Sequence, residues 1–318
     1  MLVVIGRDSE IGIAAIARLQ GRGRSIVATS RRRTSTADCI RLDLTDSLES
    51  WMPPAGANSA CILAAIARPA VCAADPAGSA HINVTRTLAL AQRLIAEGIH
   101  VLFISTDQVF DGRMPFVPAD APTAPVSEYG RQKARTEAAL LSHVERGAPV
   151  AILRLGKVLS PRTAFLRDWV RALNSGEAIR VFHDKTMAPV PAGIVADAID
   201  ALTRDRARGI FQLTGPRDVV YTEVAWHITH RLGADKSLIT ICSAASAGLP
   251  EGTTPAHTTL DSTLMRDRYG ISVCDVAGVI DDVLDASGGT LGEPEPSMVR
   301  DAATIGTRAG KRILVGVR

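Results

Sequence analysis

The chain has 318 residues, of which 46% are hydrophobic, 22% charged and 4% aromatic, and its formal net charge at pH 7 is +3. This composition is typical of a globular protein, and the length suits one large domain or two unequal lobes. The small net charge and the few aromatic residues argue against a nucleic-acid-binding protein, which needs a basic surface. No apolar run approaches the length of a membrane span, so we expect no membrane partner and a cytoplasmic location.

The chain opens on an apolar strand, a glycine-containing turn and an apolar helical pattern. The strand is residues 2–5, and the turn runs from Gly6 to Gly12 before a helix that ends at Gly21. The first backbone N–H groups of a helix are unpaired, so this arrangement is suited to binding a pyrophosphate. The predicted dinucleotide contacts of this turn are Gly6, Ser9, Glu10, Ile11 and Gly12.

The second predicted strand, SIVATS (25–30), ends without an acidic residue and is followed by three arginines. A site that prefers NAD places Asp or Glu at the end of this strand, where the carboxylate holds the ribose hydroxyls. Arg31 and Arg32 can instead pair with a 2′-phosphate, so we predict NADP as the cofactor. A solvated basic turn is the alternative interpretation.

Two more strands and a long helix are predicted next. CIRLDLTD (39–46) indicates a short strand, in which Asp43 is also suited to capping the following turn. ACILAAIA (60–67) indicates a buried central strand with a small-residue end that lets its backbone approach a dinucleotide. A helical pattern, broken only near Pro76 to Gly78, then runs from Asp75 to Glu97 and ends at Gly98.

The central stretch carries the reactive residue types. VLFISTD (101–107) predicts a buried parallel strand with polar side chains at its carboxyl end, where open α/β sheets bind ligands. Beyond a proline-rich bridge, a helix beginning at Ser127 or Glu128 places Tyr129 and Lys133 on one face. A nearby ammonium lowers the pKa of a phenol. Thr106 can hydrogen-bond a substrate carbonyl oxygen that Tyr129 protonates. Together the three groups predict a site that protonates a carbonyl oxygen while a hydride reaches the carbonyl carbon. An exposed helix with a half-buried tyrosine is the alternative.

The order of elements changes after Ser160. An amphipathic helix, a strand, a second helix, a late strand returning to the main sheet, a third helix and a closing helical pattern follow in that order. We therefore predict an α/β fold, a doubly wound parallel sheet with a second, smaller α/β lobe that holds the substrate against it. The predicted division is 1–157 with 189–215 for the dinucleotide, 158–188 and 216–285 for the substrate, and 286–318 as a flexible tail.

Cysteine and histidine usage gives no metal site. The five cysteines show no C-x-x-C spacing, which indicates free thiols in a reducing compartment. His227 and His230 lie three apart on a predicted helix without a third ligand in reach, and we interpret them as ordinary helix-face residues.

Two of these segments together resemble a known family. STDQVFDG (105–112), followed by YGRQK (129–133), is similar to the extended short-chain dehydrogenase/reductase superfamily, closest to its dTDP-4-dehydrorhamnose reductase branch, and the likeness covers residues 1–284. It implies a Rossmann-type fold and a catalytic triad of Thr106, Tyr129 and Lys133. It further implies cofactor contacts from Asp43, Leu44, Ala64, Ala65, Ile104, Tyr129 and Lys133, and substrate contacts from Thr106, Asp107, Gln108 and Lys157.

The same resemblance implies the reaction. A reductase of this branch uses NADPH on a nucleotide-linked 4-keto-6-deoxy sugar, in deoxysugar or cell-surface polysaccharide biosynthesis, and a homodimer is the candidate assembly. Ser9, Leu63, Gln108 and Lys157 depart from the family pattern, which has Gly at the first position, Asn at the second and Trp at the last. A serine at position 9 is expected to lose a left-handed backbone option, and its hydroxyl can donate to phosphate instead.

The departures also keep other functions open. Sugar-nucleotide dehydratases place an acid after Asp107, and Gln108 cannot exchange a proton at neutral pH, so dehydration is disfavoured. A sugar-nucleotide epimerase and a non-catalytic, NADP-binding regulatory subunit are the remaining alternatives. Gln108 and Lys157 are both expected to face the substrate, in a cleft more polar than that of the family.

Overall fold

The computed structural model describes residues 1–32, 35–248 and 254–286. The predicted tail from 287 onward and Arg33 lie outside these residues. Within them the strands are β1 (Leu2–Ile5), β2 (Ile26–Ser30), β3 (Cys39–Arg41), β4 (Ser59–Ile62), β5 (His100–Thr106), β6 (Val150–Leu155), β7 (Val158–Leu159), β8 (Ile179–Phe182), β9 (Thr186–Met187), β10 (Val190–Pro191), β11 (Gly209–Leu213), β12 (Val219–Val220) and β13 (Ile239–Cys242).

The helices follow the predicted order with one addition, the short helix Pro69–Ala74, and Pro76–Ala80 is helical where a break was predicted. They are α1 (Glu10–Gln20), α2 (Pro69–Ala74), α3 (Pro76–Ala80), α4 (Thr87–Ala96), α5 (Glu128–Glu145), α6 (Ala164–Asn174), α7 (Ala192–Arg204), α8 (Tyr221–Leu232), α9 (Thr263–Tyr269) and α10 (Val276–Asp285). A π-helical segment, His81–Arg86, joins α3 to α4, and short 3₁₀ turns occupy Asp107–Val109, Lys236–Leu238 and Ala245–Ala247.

A seven-stranded sheet forms the centre, in the order β11-β6-β5-β4-β1-β2-β3, and every pairing in it is parallel. The strand order reverses around β1, whose neighbours are β2 on one side and β4 on the other. Ligands bind outside the carboxyl ends of such strands at this reversal. The predicted doubly wound parallel sheet is confirmed, including β11, the late strand that returns to pair with β6.

Strand β1 shows why the strands of this sheet read as continuous apolar runs. Leu2 and Val4 pack on one face, in a cluster that includes residues of α1 and α7. Val3 and Ile5 pack on the other face, in a cluster that includes residues of α4 and α5. Because helices cover both faces of the sheet, the side chains on both faces of β1 are buried. The strand therefore shows no alternation of apolar and polar residues in the sequence.

A further cluster of buried side chains lies outside the central sheet. It combines residues of α6, α8 and α10 with strand β8, which pairs with β13. Phe165, Trp169 and Tyr221 form its aromatic centre, with ring centroids 5.1 Å apart for Phe165–Trp169 and 5.3 Å for Phe165–Tyr221. The assignment of these elements to a separate substrate lobe stays a prediction.

The predicted helix from Asp75 to Glu97 needs a correction. It includes the π-helical segment, and a separate helix, α2, precedes it. The Asp75 side chain accepts from the Gly78 backbone N–H at 2.9 Å and so caps the start of α3. The π-helical geometry was not visible in the apolar pattern, because one extra residue per turn changes the helical periodicity only locally.

Two predicted strands are shorter in the structure than their apolar patterns. Strand β3 ends at Arg41 and β4 at Ile62, so the residues after them lie in loops at the carboxyl edge of the sheet. No helix in the described part of the chain is long and apolar enough to cross a membrane.

Candidate active site

The turn between β1 and α1 has the close backbone packing that a phosphate site needs. Gly6 has φ +102°, and a Cβ there would lie 2.8 Å from the Ala64 backbone nitrogen. A Cβ on Gly12 would lie 2.5 Å from the Gly6 carbonyl oxygen. Both positions therefore require glycine. The backbone N–H groups of Glu10 and Ile11 have no acceptor among the described residues, as expected at a helix N-terminus. These features fit the pyrophosphate of a dinucleotide.

Ser9 has a structural role that differs from the expectation. Its φ is −76°, so this turn does not use the left-handed conformation that a serine was expected to lose. Its hydroxyl donates to the Gly6 carbonyl at 2.9 Å and accepts from the Gly12 N–H at 3.0 Å. Ser9 is therefore the N-cap of α1, and its hydroxyl proton holds the turn together instead of pointing to a phosphate.

The end of β2 contains an acid that the sequence argument missed. Asp8, from the turn after β1, accepts from the Ser30 hydroxyl at 2.5 Å, and the Arg32 N–H donates to the same hydroxyl at 3.1 Å. The side chains of Arg31 and Arg32 are exposed. The acid was missed because it comes from a different loop, although its presence inside the glycine turn was visible in the sequence.

The remaining predicted cofactor residues lie along the same edge of the sheet. Asp43 accepts from the backbone N–H and the hydroxyl of Thr45, at 3.0 and 2.8 Å, and these bonds hold its pKa below the usual range. The carbonyl of Leu44 accepts from Arg86 Nε at 2.9 Å. Ala64 and Ala65 follow β4, where the Ala64 N–H donates to the Ile5 carbonyl at 3.0 Å beside the glycine turn.

Strand β5 and helix α5 bring Thr106, Tyr129 and Lys133 to the same edge. Ser127 caps α5 by accepting from the Gly130 N–H at 3.0 Å. A Cβ on Gly130 would lie 2.1 Å from the Gln108 carbonyl oxygen, so glycine lets the helix touch the turn after β5. Lys133 Nζ then donates to the Ile104 carbonyl at 2.7 Å and lies 5.9 Å from the centroid of the Tyr129 ring.

The electrostatics of the tyrosine reverse one sequence argument. Burial first, and then the charge of Asp107, raise the pKa of Tyr129 above its usual value. The predicted lowering by Lys133 is wrong for this state, because the phenol is desolvated and a carboxylate faces it. Tyr129 is consequently held in its protonated form, the form that can donate a proton.

Thr106 has its single proton engaged. Its hydroxyl donates to Asp107 Oδ1 at 2.8 Å and accepts from the Gln108 N–H at 3.3 Å. Burial raises the pKa of Asp107 to about 6. A substrate oxygen can receive the Thr106 proton once it replaces Asp107 as the acceptor.

Gln108 and Lys157 are the two predicted substrate residues that depart from the family pattern, and both are neighbours of Asp107. Gln108 Oε1 accepts from the Ser127 hydroxyl at 3.2 Å, which ties it to the cap of α5. Lys157 follows β6, and its ammonium lies 5.8 Å from the Phe165 ring centroid. The charge of Asp107 acts on Lys157, so these two residues are close in space.

A buried ion pair joins β6 to α5, the helix that carries Tyr129 and Lys133. Arg154 Nη2 on β6 lies 2.7 Å from Glu137 Oε2 on α5, and the two side chains are 2% and 1% exposed. Arg154 also donates to the Ala119 carbonyl at 3.0 Å and to Gln212 Oε1 at 3.2 Å. A network of amides on the other side of α5 joins Asn83 Nδ2 to Gln132 Oε1 at 2.7 Å.

The pH dependence of Lys133 provides a first prediction. Burial lowers the pKa of Lys133 to about 8, so its charge is lost as the pH rises through that value. We expect kcat for carbonyl reduction to decline above about pH 8, because a neutral amine no longer stabilises the phenolate left after Tyr129 donates its proton. A pH–rate profile at saturating substrate measures this, and a rate that stays level to about pH 9.5 contradicts it.

Comparison with known proteins connects this geometry to a family. The family described as RmlD substrate binding domain matches residues 1–287. The probable low-salt glycan biosynthesis reductase Agl14 of Haloferax volcanii is 27% identical over 281 residues, which cover 85% of this chain and 92% of that protein. A dTDP-4-dehydrorhamnose reductase of Sinorhizobium fredii is 27% identical over 237 residues, covering 71% and 76% of the two chains.

Two further similarities bear on the fold and on the alternatives. The structure of MoeE5 in complex with UDP-glucose and NAD has a TM-score of 0.77 and 21% identity, and covers 92% of this chain and 99% of that one. Methionine adenosyltransferase 2 subunit beta of Xenopus tropicalis is 26% identical over 170 residues, about half of each chain. The family match spans all elements of the site described above, and the chain belongs to the RmlD substrate binding domain family of the extended short-chain dehydrogenases/reductases.

Proposed function

We propose that this protein is an NADPH-dependent reductase of a nucleotide-linked 4-keto-6-deoxy sugar, acting in deoxysugar or cell-surface polysaccharide biosynthesis. The observation that carries the proposal is the meeting of Thr106, Tyr129 and Lys133 at the carboxyl edge of the sheet, beside a turn that fits a dinucleotide pyrophosphate. Relatives of this family named as reductases support it. Loss of NADPH absorbance with nucleotide 4-keto sugars tests it.

The chain's residues divide the chemistry between them. A bound reduced nicotinamide supplies the hydride to the carbonyl carbon. Tyr129, protonated because its pKa is raised, gives its proton to the carbonyl oxygen as negative charge develops there. Lys133, held at 2.7 Å by the Ile104 carbonyl, stabilises the resulting phenolate. Thr106 orients the same oxygen after its proton turns away from Asp107.

The site favours reduction over dehydration. Gln108 lies where a dehydratase needs an acid, and its side-chain oxygen is bonded to Ser127. An epimerase uses the same Tyr–Lys pair and is the runner-up among catalytic functions. A regulatory subunit is the non-catalytic alternative, favoured by the 26% identity to a methionine adenosyltransferase subunit over half of the chain.

The NADPH preference gives a second prediction. We expect Arg31→Ala to weaken NADPH binding about tenfold, roughly the loss of one charge-assisted contact to the 2′-phosphate, and to leave NADH binding unchanged. Asp8→Asn is expected to strengthen NADPH binding, because Asp8 places a negative charge at the same strand end. Fluorescence titration of both cofactors measures these effects.

Arg146→Ala is the matched control for these titrations, since Arg146 is exposed at the far end of α5. If Arg31→Ala leaves the NADPH affinity unchanged and Asp8→Asn weakens NADH binding, the NADPH preference is wrong and the cofactor is NAD.

A further inference from the structure

Two lysines, Lys157 and Lys185, lie near one another beside the candidate active site. Lys157 follows β6, and its carbonyl accepts from the Val190 N–H at 2.9 Å, which aligns β7 with β10. Lys185 precedes β9, and its carbonyl accepts from the Tyr221 N–H at 3.1 Å. Both side chains are half-buried. Burial first, and then the charge of Lys157, lower the pKa of Lys185, so the two ammonium groups repel one another.

Neither ammonium has a protein acceptor in the described residues. Each carries three N–H donors. Their nearest aromatic contacts are Phe165 for Lys157, at 5.8 Å from the ring centroid, and Tyr221 for Lys185, at 5.2 Å. These distances are close to the limit of about 6 Å for a cation–π contact, so the rings do not replace hydrogen-bond acceptors. Two adjacent, partly desolvated charges without partners are costly unless an anion joins them.

The carboxylates near these lysines are engaged elsewhere. Glu10 accepts from the hydroxyls of Ser160 and Thr163, at 3.1 and 2.9 Å. Asp107 accepts from Thr106. Both attract Lys157 through space, but among the described residues neither forms an ion pair with Lys157 or with Lys185. The lysines are therefore open to a ligand.

We propose that Lys157 and Lys185 form an anion-binding subsite for a charged group of the nucleotide-linked substrate, either its diphosphate or a carboxylate on the sugar. This inference rests on the proposed function and deepens it. Lys157 is close to Asp107, which adjoins Thr106, so the bound anion lies beside the sugar that reacts. Phe165 and Tyr221, with ring centroids 5.3 Å apart, form an apolar wall next to it.

The test measures binding, so it is independent of turnover. Isothermal titration of the NADP⁺-saturated protein is carried out with UDP, dTDP, UDP-glucose and UDP-glucuronate. We expect Lys157→Met and Lys185→Met each to weaken binding at least about tenfold, since each removes a charge-assisted contact. Lys185→Arg, which keeps the charge, should retain most of the affinity. Lys236→Met, at an exposed lysine that is not part of this pair, is the matched control.

The ligand series distinguishes the two sources of charge. If the diphosphate binds here, the variants lose affinity for UDP or dTDP themselves. If a sugar carboxylate binds here, the affinity for the nucleoside diphosphates is kept and the preference for UDP-glucuronate over UDP-glucose disappears. Wild-type affinities unchanged in both variants, or no binding of any of the four ligands, would overturn the subsite. Lysine-dependent binding without NADPH oxidation on any keto sugar would instead overturn the reductase proposal alone.

Discussion

Replacement of Tyr129 by Phe is expected to lower kcat by about 10² to 10⁴-fold while the cofactor still binds. The substitution removes the phenol that donates the proton and almost no volume. Burial keeps this phenol protonated. The other described donors at the site are engaged, since the Thr106 hydroxyl donates to Asp107 and Lys133 Nζ donates to the Ile104 carbonyl. We therefore expect neither of them to replace the phenol.

Steady-state kinetics together with cofactor titration measure this effect. Tyr269→Phe is the matched control, since Tyr269 donates to Asp205 at 2.6 Å, outside the candidate site. A kcat for Tyr129→Phe within a few-fold of wild type would make Tyr129 a structural residue. A loss of cofactor binding equal to the loss of rate would show that the substitution damages the cofactor site instead of the chemistry.

Arg154→Met is expected to destabilise the fold by about 3 to 5 kcal/mol, the usual cost of leaving one member of a buried ion pair without its partner. The change leaves the Glu137 carboxyl, which is 1% exposed, without its partner on the helix that carries Tyr129 and Lys133. It also removes the donors to Ala119 and Gln212. Urea unfolding monitored by circular dichroism measures the free energy of unfolding.

A double variant separates the charge from the packing. Arg154→Met combined with Glu137→Leu removes both charges and should recover much of the lost stability, because no buried charge is then left alone. Arg204→Met breaks an exposed pair with Asp200 and should cost about 0.3 to 0.5 kcal/mol. Equal losses in the single and double variants would attribute the effect to packing.

The sequence predicted those features whose causes are local. The parallel strands read as apolar runs because helices cover both faces, and Tyr129 and Lys133 share a helix face because they are four residues apart. Gly130 stands in the YGRQK motif, and the sequence alone supplies no physical reason for a glycine there. Its physical reason, the contact with the Gln108 carbonyl, required the structure.

Features that depend on distant segments escaped prediction. Asp8, in the turn after β1, bonds Ser30 at the end of β2, and Lys185 comes near Lys157 from 28 positions further along the chain. The raised pKa of Tyr129 escaped prediction for the same reason: Lys133 is a neighbour on the same helix, whereas the desolvation and the Asp107 carboxylate come from the tertiary fold. Burial depends on how the whole chain packs, so the spacing of residues along one helix does not predict it.

The central claim is reduction of a nucleotide-linked keto sugar by NADPH, and one assay tests it most directly. The purified protein is mixed with NADPH and a panel of nucleotide 4-keto-6-deoxy sugars, including dTDP-4-dehydrorhamnose, and the absorbance of NADPH is followed. We predict substrate-dependent loss of absorbance that Tyr129→Phe abolishes. A protein that binds NADPH but oxidises it with none of these sugars would contradict the account and favour the regulatory alternative.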